Sequence, residues 1–315
     1  MTARQGVDLT TAVGPLVLAN PVVAASGTYG HGDEVARLGD PSRLGAVTTK
    51  SVSAEAWAGN PGPRVHETPA GMLNSVGLQN PGVEAWRAQE LPSLLARGAR
   101  VIASVWGRTL DEFAAAAAGV MPVASDLVAV EVNVSCPNLE DRSEMFAHSP
   151  EATGAAVTAV VGAVGDLPVF AKLSPNVTDL RPVAGAALAA GAAGLTLVNT
   201  VMGMAIDPAT RQFRVATGGG GLSGPAIRPV AVRAVHEVAR AFPGTPIIGT
   251  GGVARGEDAV EMLLAGASAV GVGTATFHHP RAAERVVEGL ERWCRRHGVA
   301  AVSELVGAAR EPDEA

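Results

Sequence analysis

Cysteine is scarce in this 315-residue chain: there are two, at 136 and 294, far apart and without a CxxC pair. That usage suggests neither a zinc site nor a disulfide framework, and no metal ligand set is expected. An iron–sulfur cluster usually takes four Cys ligands, so this chain is not expected to hold one alone. Aromatic residues are also few (3%), the formal net charge is −6, and no block of Lys and Arg occurs. The basic stripe and stacking rings of a nucleic-acid surface are therefore missing, and a small molecule is the expected partner. The N-terminus, MTARQGVDLTTAVG, lacks the apolar core of a signal peptide, which makes the cytoplasm the expected compartment. The longest uncharged stretch runs from Pro182 to Ile206, long enough to raise a membrane-spanning reading. Pro182, Asn199 and four Gly interrupt it, so no membrane segment is expected. Its small-residue half reads as a buried helix feeding a strand.

What the chain does have is apolar content. With 47% hydrophobic and 17% charged residues it can bury a large core, as one barrel-sized domain or two smaller ones. After a short lead with a hairpin about Val13-Gly14-Pro15, eight strand-like apolar runs follow: Pro21 to Ser26, Gly45 to Thr49, Val101 to Val105, Leu127 to Val132, Pro168 to Leu173, Gly194 to Val198, Pro246 to Thr250 and Ser268 to Val272. Between them lie segments of helical period: Val83 to Arg97, Leu110 to Val120, Glu151 to Val164, Leu180 to Ala190, Ala226 to Phe242 and Glu257 to Leu264. Eight strands alternating with helices imply right-handed parallel crossovers and, at this length, an α/β fold of the (β/α)₈ TIM barrel type spanning 1–315. A doubly wound sheet is the alternative. Two stretches, Ser53 to Gln79 and Val201 to Leu222, exceed simple connectors and read as long functional loops at the mouth. The polar residues from 308 to 315 read as a frayed tail.

The barrel is preferred because polar groups recur at strand ends. Lys50, Asn133, Lys172 and Asn199 each follow an apolar run, which would bring them to one mouth, where barrel enzymes build their sites. Two ammonium groups there imply anionic or carbonyl-rich ligand atoms, unless each Lys merely reaches to the rim. The Asn pair offers donors and acceptors that suit a ring with alternating C=O and N–H groups, or caps the loops that follow. Glycine runs Gly249-Thr250-Gly251-Gly252 and Gly271-Val272-Gly273-Thr274 end the seventh and eighth strands, where barrels commonly bind a phosphate. Cys136 ends the fourth strand in Ala129-Val130-Glu131-Val132-Asn133-Val134-Ser135-Cys136-Pro137-Asn138 and reads either as a base or nucleophile or as a small buried hydrophobe. Nearby cations could lower its titration, whereas His31, His66, His148, His278 and His279 fall in loops or at helix starts, which disfavours a Cys-His hydrolase. Cys294, on a terminal helix, reads as structural.

Several segments resemble one family closely. Asn133 to Asn138, Asn74-Ser75-Val76-Gly77-Leu78-Gln79-Asn80, Gly221-Leu222-Ser223-Gly224-Pro225-Ala226-Ile227, Val198-Asn199-Thr200 and the two glycine loops are similar to signature segments of dihydroorotate dehydrogenases, in the family's order from about Val22 to Thr276. The resemblance implies a (β/α)₈ barrel with one FMN per chain at its C-terminal mouth, oxidising dihydroorotate to orotate in pyrimidine synthesis. Cys136 matches the family's base, which takes the C5 proton while hydride leaves C6. Lys50, Asn74, Ser75, Val76, Gly77, Leu78, Asn133, Asn199 and Thr200 match positions that hold substrate. Ser26, Lys50, Ser51, Ser104, Asn133, Lys172, Val198 and Gly224 match FMN contacts, with Gly251, Gly252, Gly273 and Thr274 at its phosphate. Lys172 would stabilise charge near the flavin's N1 and C2 carbonyl.

The Cys base resembles the soluble class 1 enzymes, and Gly203 to Asp207 with Gly221 to Ile227 look closest to class 1B. That class implies a homodimer and a partner subunit carrying FAD and a [2Fe-2S] cluster that passes electrons to NAD⁺. A fumarate-linked class 1A enzyme, another FMN-dependent pyrimidine oxidoreductase and a non-catalytic flavin-binding subunit are the alternatives. Two departures stand out: Ser104 replaces the usual Asn, and its shorter reach implies a flavin contact that is water-mediated or lost, and Trp106 is bulkier than the usual residue.

Overall fold

The computed structural model describes residues 6–135 and 145–310. Cys136 and the last five residues of the expected tail lie outside the described residues.

In chain order the strands are β1 (Thr11–Val13), β2 (Leu16–Leu18), β3 (Val22–Ala24), β4 (Ala46–Thr48), β5 (Val65–Thr68), β6 (Gly71–Asn74), β7 (Val101–Val105), β8 (Leu127–Asn133), β9 (Val169–Leu173), β10 (Gly194–Leu197), β11 (Val201–Met204), β12 (Gly219–Ser223), β13 (Ile247–Thr250) and β14 (Ala269–Val272). Eight of them, β3, β4, β7, β8, β9, β10, β13 and β14, pair in parallel in that order and close β14 against β3 into a barrel. They are the eight apolar runs of the sequence: six are shorter at their ends, Val101–Val105 is unchanged and Leu127–Asn133 runs one residue further. Parallel strands covered on both faces stay apolar throughout, which is why they stand out in a sequence. Helices Leu110–Val120, Pro150–Val164, Arg181–Ala189, Arg228–Ala241, Gly256–Leu264 and Ala282–His297 lie between and after them. Local chemistry sets their starts: Thr109 accepts from the Glu112 N–H, and Ser149 accepts from Ala152 N–H ahead of Pro150.

The side-chain alternation of β8, β9 and β10 sorts the barrel into depths. Val130, Val132, Ala171, Leu173, Leu195 and Leu197 join the large core outside the barrel. Ala129 and Phe170 point inward at the bottom, Glu131 and Thr196 meet inside at mid-height, and Asn133 and Lys172 reach the mouth. The bottom is closed by the β1–β2 hairpin, whose Val13, Leu16 and Leu18 pack on Val23, Ala46, Ile102, Ala129, Phe170, Ile248 and Ala269. Phe170 is fully buried in this plug. Phe170→Ala should therefore cost about 3–5 kcal/mol, read as a lower denaturant midpoint with an unchanged slope.

Three expectations change. The segment expected as one helix from Val83 to Arg97 runs from Val83 to Leu95, with a π turn at Trp86–Glu90. Pro92 has no N–H to donate, and the ladder shifts register so that Leu91 N–H bonds Trp86 O. His278 ends a short turn, Ala275–His278, and does not open the last helix, which starts at Ala282 beyond Pro280. The two long stretches are not open loops: β5, β6, β11 and β12 pair antiparallel, in the order β11-β12-β6-β5. Gly221 faces Asn74 across that sheet. A Cβ at Gly221 would collide with Thr200 Oγ1, so the close approach of the chain here demands glycine. Among the described residues no helix is long and apolar enough to cross a membrane.

Candidate active site

The antiparallel sheet stands over the C-terminal ends of the barrel strands and encloses with them a cavity of about 440 Å³. That volume lies in the range of small-molecule and cofactor pockets. Its wall gathers the residues singled out from the sequence: Ser26, Lys50 and Ser51 from the first two barrel strands, Asn133 from β8, Lys172 from β9, Val198, Asn199 and Thr200 after β10, and Gly251, Gly252, Gly273 and Thr274 after β13 and β14. Asn74, Ser75, Val76, Gly77, Leu78 and Gly224 complete it from the covering sheet.

The amide and hydroxyl groups of this wall are wired together. Asn199 Nδ2 donates to Asn133 Oδ1 (3.4 Å), Asn133 Nδ2 donates to Ser51 Oγ (3.2 Å), and Ser51 Oγ lies 3.4 Å from Ser26 Oγ. Asn133 Oδ1 also accepts from Ser135 N–H at 3.1 Å, which holds the chain as it leaves β8 toward Cys136. On the sheet side Asn74 Nδ2 donates to Gly221 O (3.2 Å), and Ser75 N–H to Arg64 O (2.7 Å). Leu78 adopts a left-handed backbone (φ 60°), and Asn80, buried beneath it, donates from Nδ2 to Leu78 O at 2.9 Å. Strained backbone of this kind, held by a buried amide, is common at ligand-clamping segments.

Charge is concentrated on two lysines. Burial, and then the nearby Lys172 charge, pull the Lys50 ammonium down to about 8. His31, behind it, is held down to about 4 by burial and by Lys50, so its ring is neutral near pH 7. Lys172 is buried against Glu131, with 3.8 Å between Nζ and Oε1. At the opposite end, Gly251 (φ 129°) and Gly252 (φ 79°) take conformations reserved for glycine, and Thr274 Oγ1 donates to Ser223 Oγ at 2.7 Å.

Ser104 is the one described candidate off the wall. It is fully buried one layer below, with its Oγ 2.8 Å from Ser51 Oγ and 3.4 Å from Glu131 Oε1, so it touches the cavity only through Ser51. Trp106 is likewise away from the wall, packed edge-on to Trp57 at 6.3 Å between centroids, and Arg108 covers the Trp57 ring. Sequence reasoning missed Ser135, Ser174, Asn176, Ser223 and Thr250, all on the wall. Ser135, Ser223 and Thr250 sit inside motifs read for their neighbours. Ser174 and Asn176 follow Lys172 at the same strand end. Asn176 donates to Thr200 O (2.9 Å) and accepts from Met202 N–H (2.8 Å), which fixes the turn from β10 into β11.

Among the described residues the buried hydroxyls Ser75 Oγ, Ser135 Oγ and Thr250 Oγ1 have no hydrogen-bond partner. Buried polar atoms are normally paired, so three orphans around one cavity mark where ligand atoms complete the network. A planar heterocycle with alternating carbonyl and N–H groups, carrying a phosphate toward the glycines, fits this wall. The dihydroorotate dehydrogenase family pattern matches residues 8–293. A Pelobacter propionicus protein named dihydroorotate dehydrogenase B (NAD(+)), catalytic subunit, is 46% identical over 96% of this chain and 98% of its own length. A Desulforudis audaxviator protein of the same name is 48% identical over 96% of this chain and 98% of its own. A Solibacter usitatus relative, provisionally named dihydroorotate dehydrogenase A (fumarate), is 46% identical over 96% and 99%. On its barrel, its cavity wall and these matches, the chain belongs to the dihydroorotate dehydrogenase family.

Proposed function

We propose that this chain is the catalytic subunit of a dihydroorotate dehydrogenase, oxidising dihydroorotate to orotate for pyrimidine synthesis. The observation that carries the reading is the joint placement of Lys50, Lys172 and the Asn133–Asn199 pair on the wall of one cavity. Bound FMN would supply the acceptor for the hydride that leaves C6 of the substrate. Every other part of the step falls to the chain. Lys50 holds the substrate carboxylate, and Asn74, Asn133 and Asn199 pair with the ring amides, with the backbone from Ser75 to Leu78 closing over them. Cys136, as thiolate, takes the C5 proton, so that loss of one proton and one hydride leaves the C5–C6 double bond. Lys172 would oppose negative charge on the reduced flavin, and Gly251, Gly252, Gly273 and Thr274 would hold its phosphate.

Electrons leave, in this reading, through a second subunit carrying FAD and a [2Fe-2S] cluster to NAD⁺, and the chain works as a homodimer. Support for an NAD⁺-linked partner comes from the relatives named as NAD(+) catalytic subunits and from an exposed apolar strip, Met202, Met204, Ile206 and Phe213, on and beside β11. Contiguous apolar surface of this kind usually marks a face covered in an assembly. The test is to purify the chain alone and from its native cells and add dihydroorotate. Orotate absorbance with flavin bleaching is expected, and FAD with iron–sulfur bands should appear in the native complex. A flavin that stays oxidised would sink the activity; native material with FMN alone would sink the partner.

A further inference from the structure

We propose that Glu131 is the counter-ion that fixes Lys172 as an ammonium at the cavity wall, and so acts as a positioning residue for the reaction. The inference rests on the reading of the cavity as an FMN site. Glu131 is the inward residue of β8 one step below Asn133, with 2% of its surface exposed, and Lys172 on β9 has 6%. A carboxylate taken that far from water needs a reason, because an isolated buried charge is very costly. Its oxygens are anchored from two sides: Thr196 Oγ1 donates to Oε2 at 3.0 Å and Ser104 Oγ to Oε1 at 3.4 Å.

Among the described residues Glu131 is the one partner of the Lys172 ammonium. Their separation, 3.8 Å, is an ion-pair distance and too long for a hydrogen bond. The carboxylate thus supplies the opposite charge while the three N–H donors of Lys172 remain available to the cavity. No other described group does this. The strand on the far side of Lys172, β10, carries Gly194-Leu195-Thr196-Leu197 and no charge. The next ammonium is Lys50, whose charge opposes that of Lys172, and His31 behind it is neutral. Two adjacent buried ammoniums with no counter-charge cannot both stay protonated. Ser104 acquires a role here as well: its hydroxyl joins Glu131 to Ser51, and through Ser51 to Asn133 and Ser26. The carboxylate is therefore fixed to the same network that lines the flavin and substrate side of the cavity.

The experiment is the pH dependence of sulfite binding to the oxidised flavin of Glu131→Gln, compared with wild type between pH 6.5 and 9.5. Sulfite places negative charge on the flavin and so reports the cation beside it. Lys50 titrates in both proteins and is coupled to Lys172, so its share is read from the Lys172→Met background. If Glu131 keeps Lys172 charged, the variant loses that charge as pH rises, and its sulfite constant relative to wild type climbs about tenfold across the range. The same Glu131→Gln change in a Lys172→Met background leaves the ratio flat. A flat ratio in the Lys172 background, with FMN retained, overturns the proposal. Where Glu131→Gln alone fails to retain FMN and Lys172→Met alone retains it, Lys172→Met added to Glu131→Gln should restore the flavin, because the unpaired ammonium is removed; failure to restore it also overturns the proposal. Wild-type protein without FMN refutes the reading of the cavity instead, so the two failures are separable.

Discussion

Cys136→Ser is expected to lower dihydroorotate turnover about 10²–10⁴-fold near neutral pH while leaving FMN content unchanged. A free thiol titrates near about 8.5, and cations close by favour its thiolate. Lys50 and Lys172 are cations of the cavity wall, and Ser135, the residue before Cys136 in the sequence, lies on the same wall. A serine hydroxyl has no comparable population of the anion at pH 7, so the base is lost while the bulk of the side chain is kept. Its activity should recover as pH rises. No histidine is among the described residues that line the cavity wall, so none is placed to substitute for it. Steady-state rates from pH 6 to 10, with flavin content measured on the same samples, make the check. Turnover within threefold of wild type at pH 7 would remove Cys136 as the base.

The parts of this molecule that could be read from its sequence are those whose signal is local. The barrel strands were legible because burial on both faces leaves uninterrupted apolar runs, as in Val101 to Val105. Strand ends were legible because a single polar residue breaks such a run, which located Lys50, Asn133, Lys172 and Asn199. The covering sheet was not legible. β12 contributes Gly219-Gly220-Gly221-Leu222-Ser223, whose glycines carry no strand preference, and its partner β6 lies about half the chain away. Glycine there answers a tertiary demand, the passage of Thr200 and Asn74 against the strand, which only the folded chain reveals. Glu131 was hidden for a related reason. Within Ala129-Val130-Glu131-Val132-Asn133 it reads as one polar residue in an alternating strand, and its partners Ser104, Thr196 and Lys172 come from three other strands. Ser104, read as a water-mediated or lost flavin contact, bridges Glu131 and Ser51 below the wall.

Lys50 gives the second large effect, and its direction follows from its setting. In the folded protein burial and Lys172 bring it from the usual lysine range down to about 8. A bound carboxylate favours the charged form and raises that value, so by linkage the anion binds best where Lys50 is already protonated. Orotate affinity is therefore full below pH 8 and lost as pH rises through it. With binding tied to the ammonium, the dissociation constant should be about tenfold higher at pH 9 than at pH 7. Lys50→Gln should weaken orotate at pH 7 by roughly 10–100-fold, the scale of a lost charge-assisted contact of about 1.5–3 kcal/mol. It should also abolish the pH dependence, because the titrating group is gone. The readout is the shift in flavin absorbance as orotate is titrated at pH 6.5 to 9.5. A pH-independent affinity in the wild type, or an unchanged slope in Lys50→Gln, would assign the carboxylate to another cation. Lys172 is then the one to test, because it lines the same cavity and its charge is what depresses Lys50 after burial has acted.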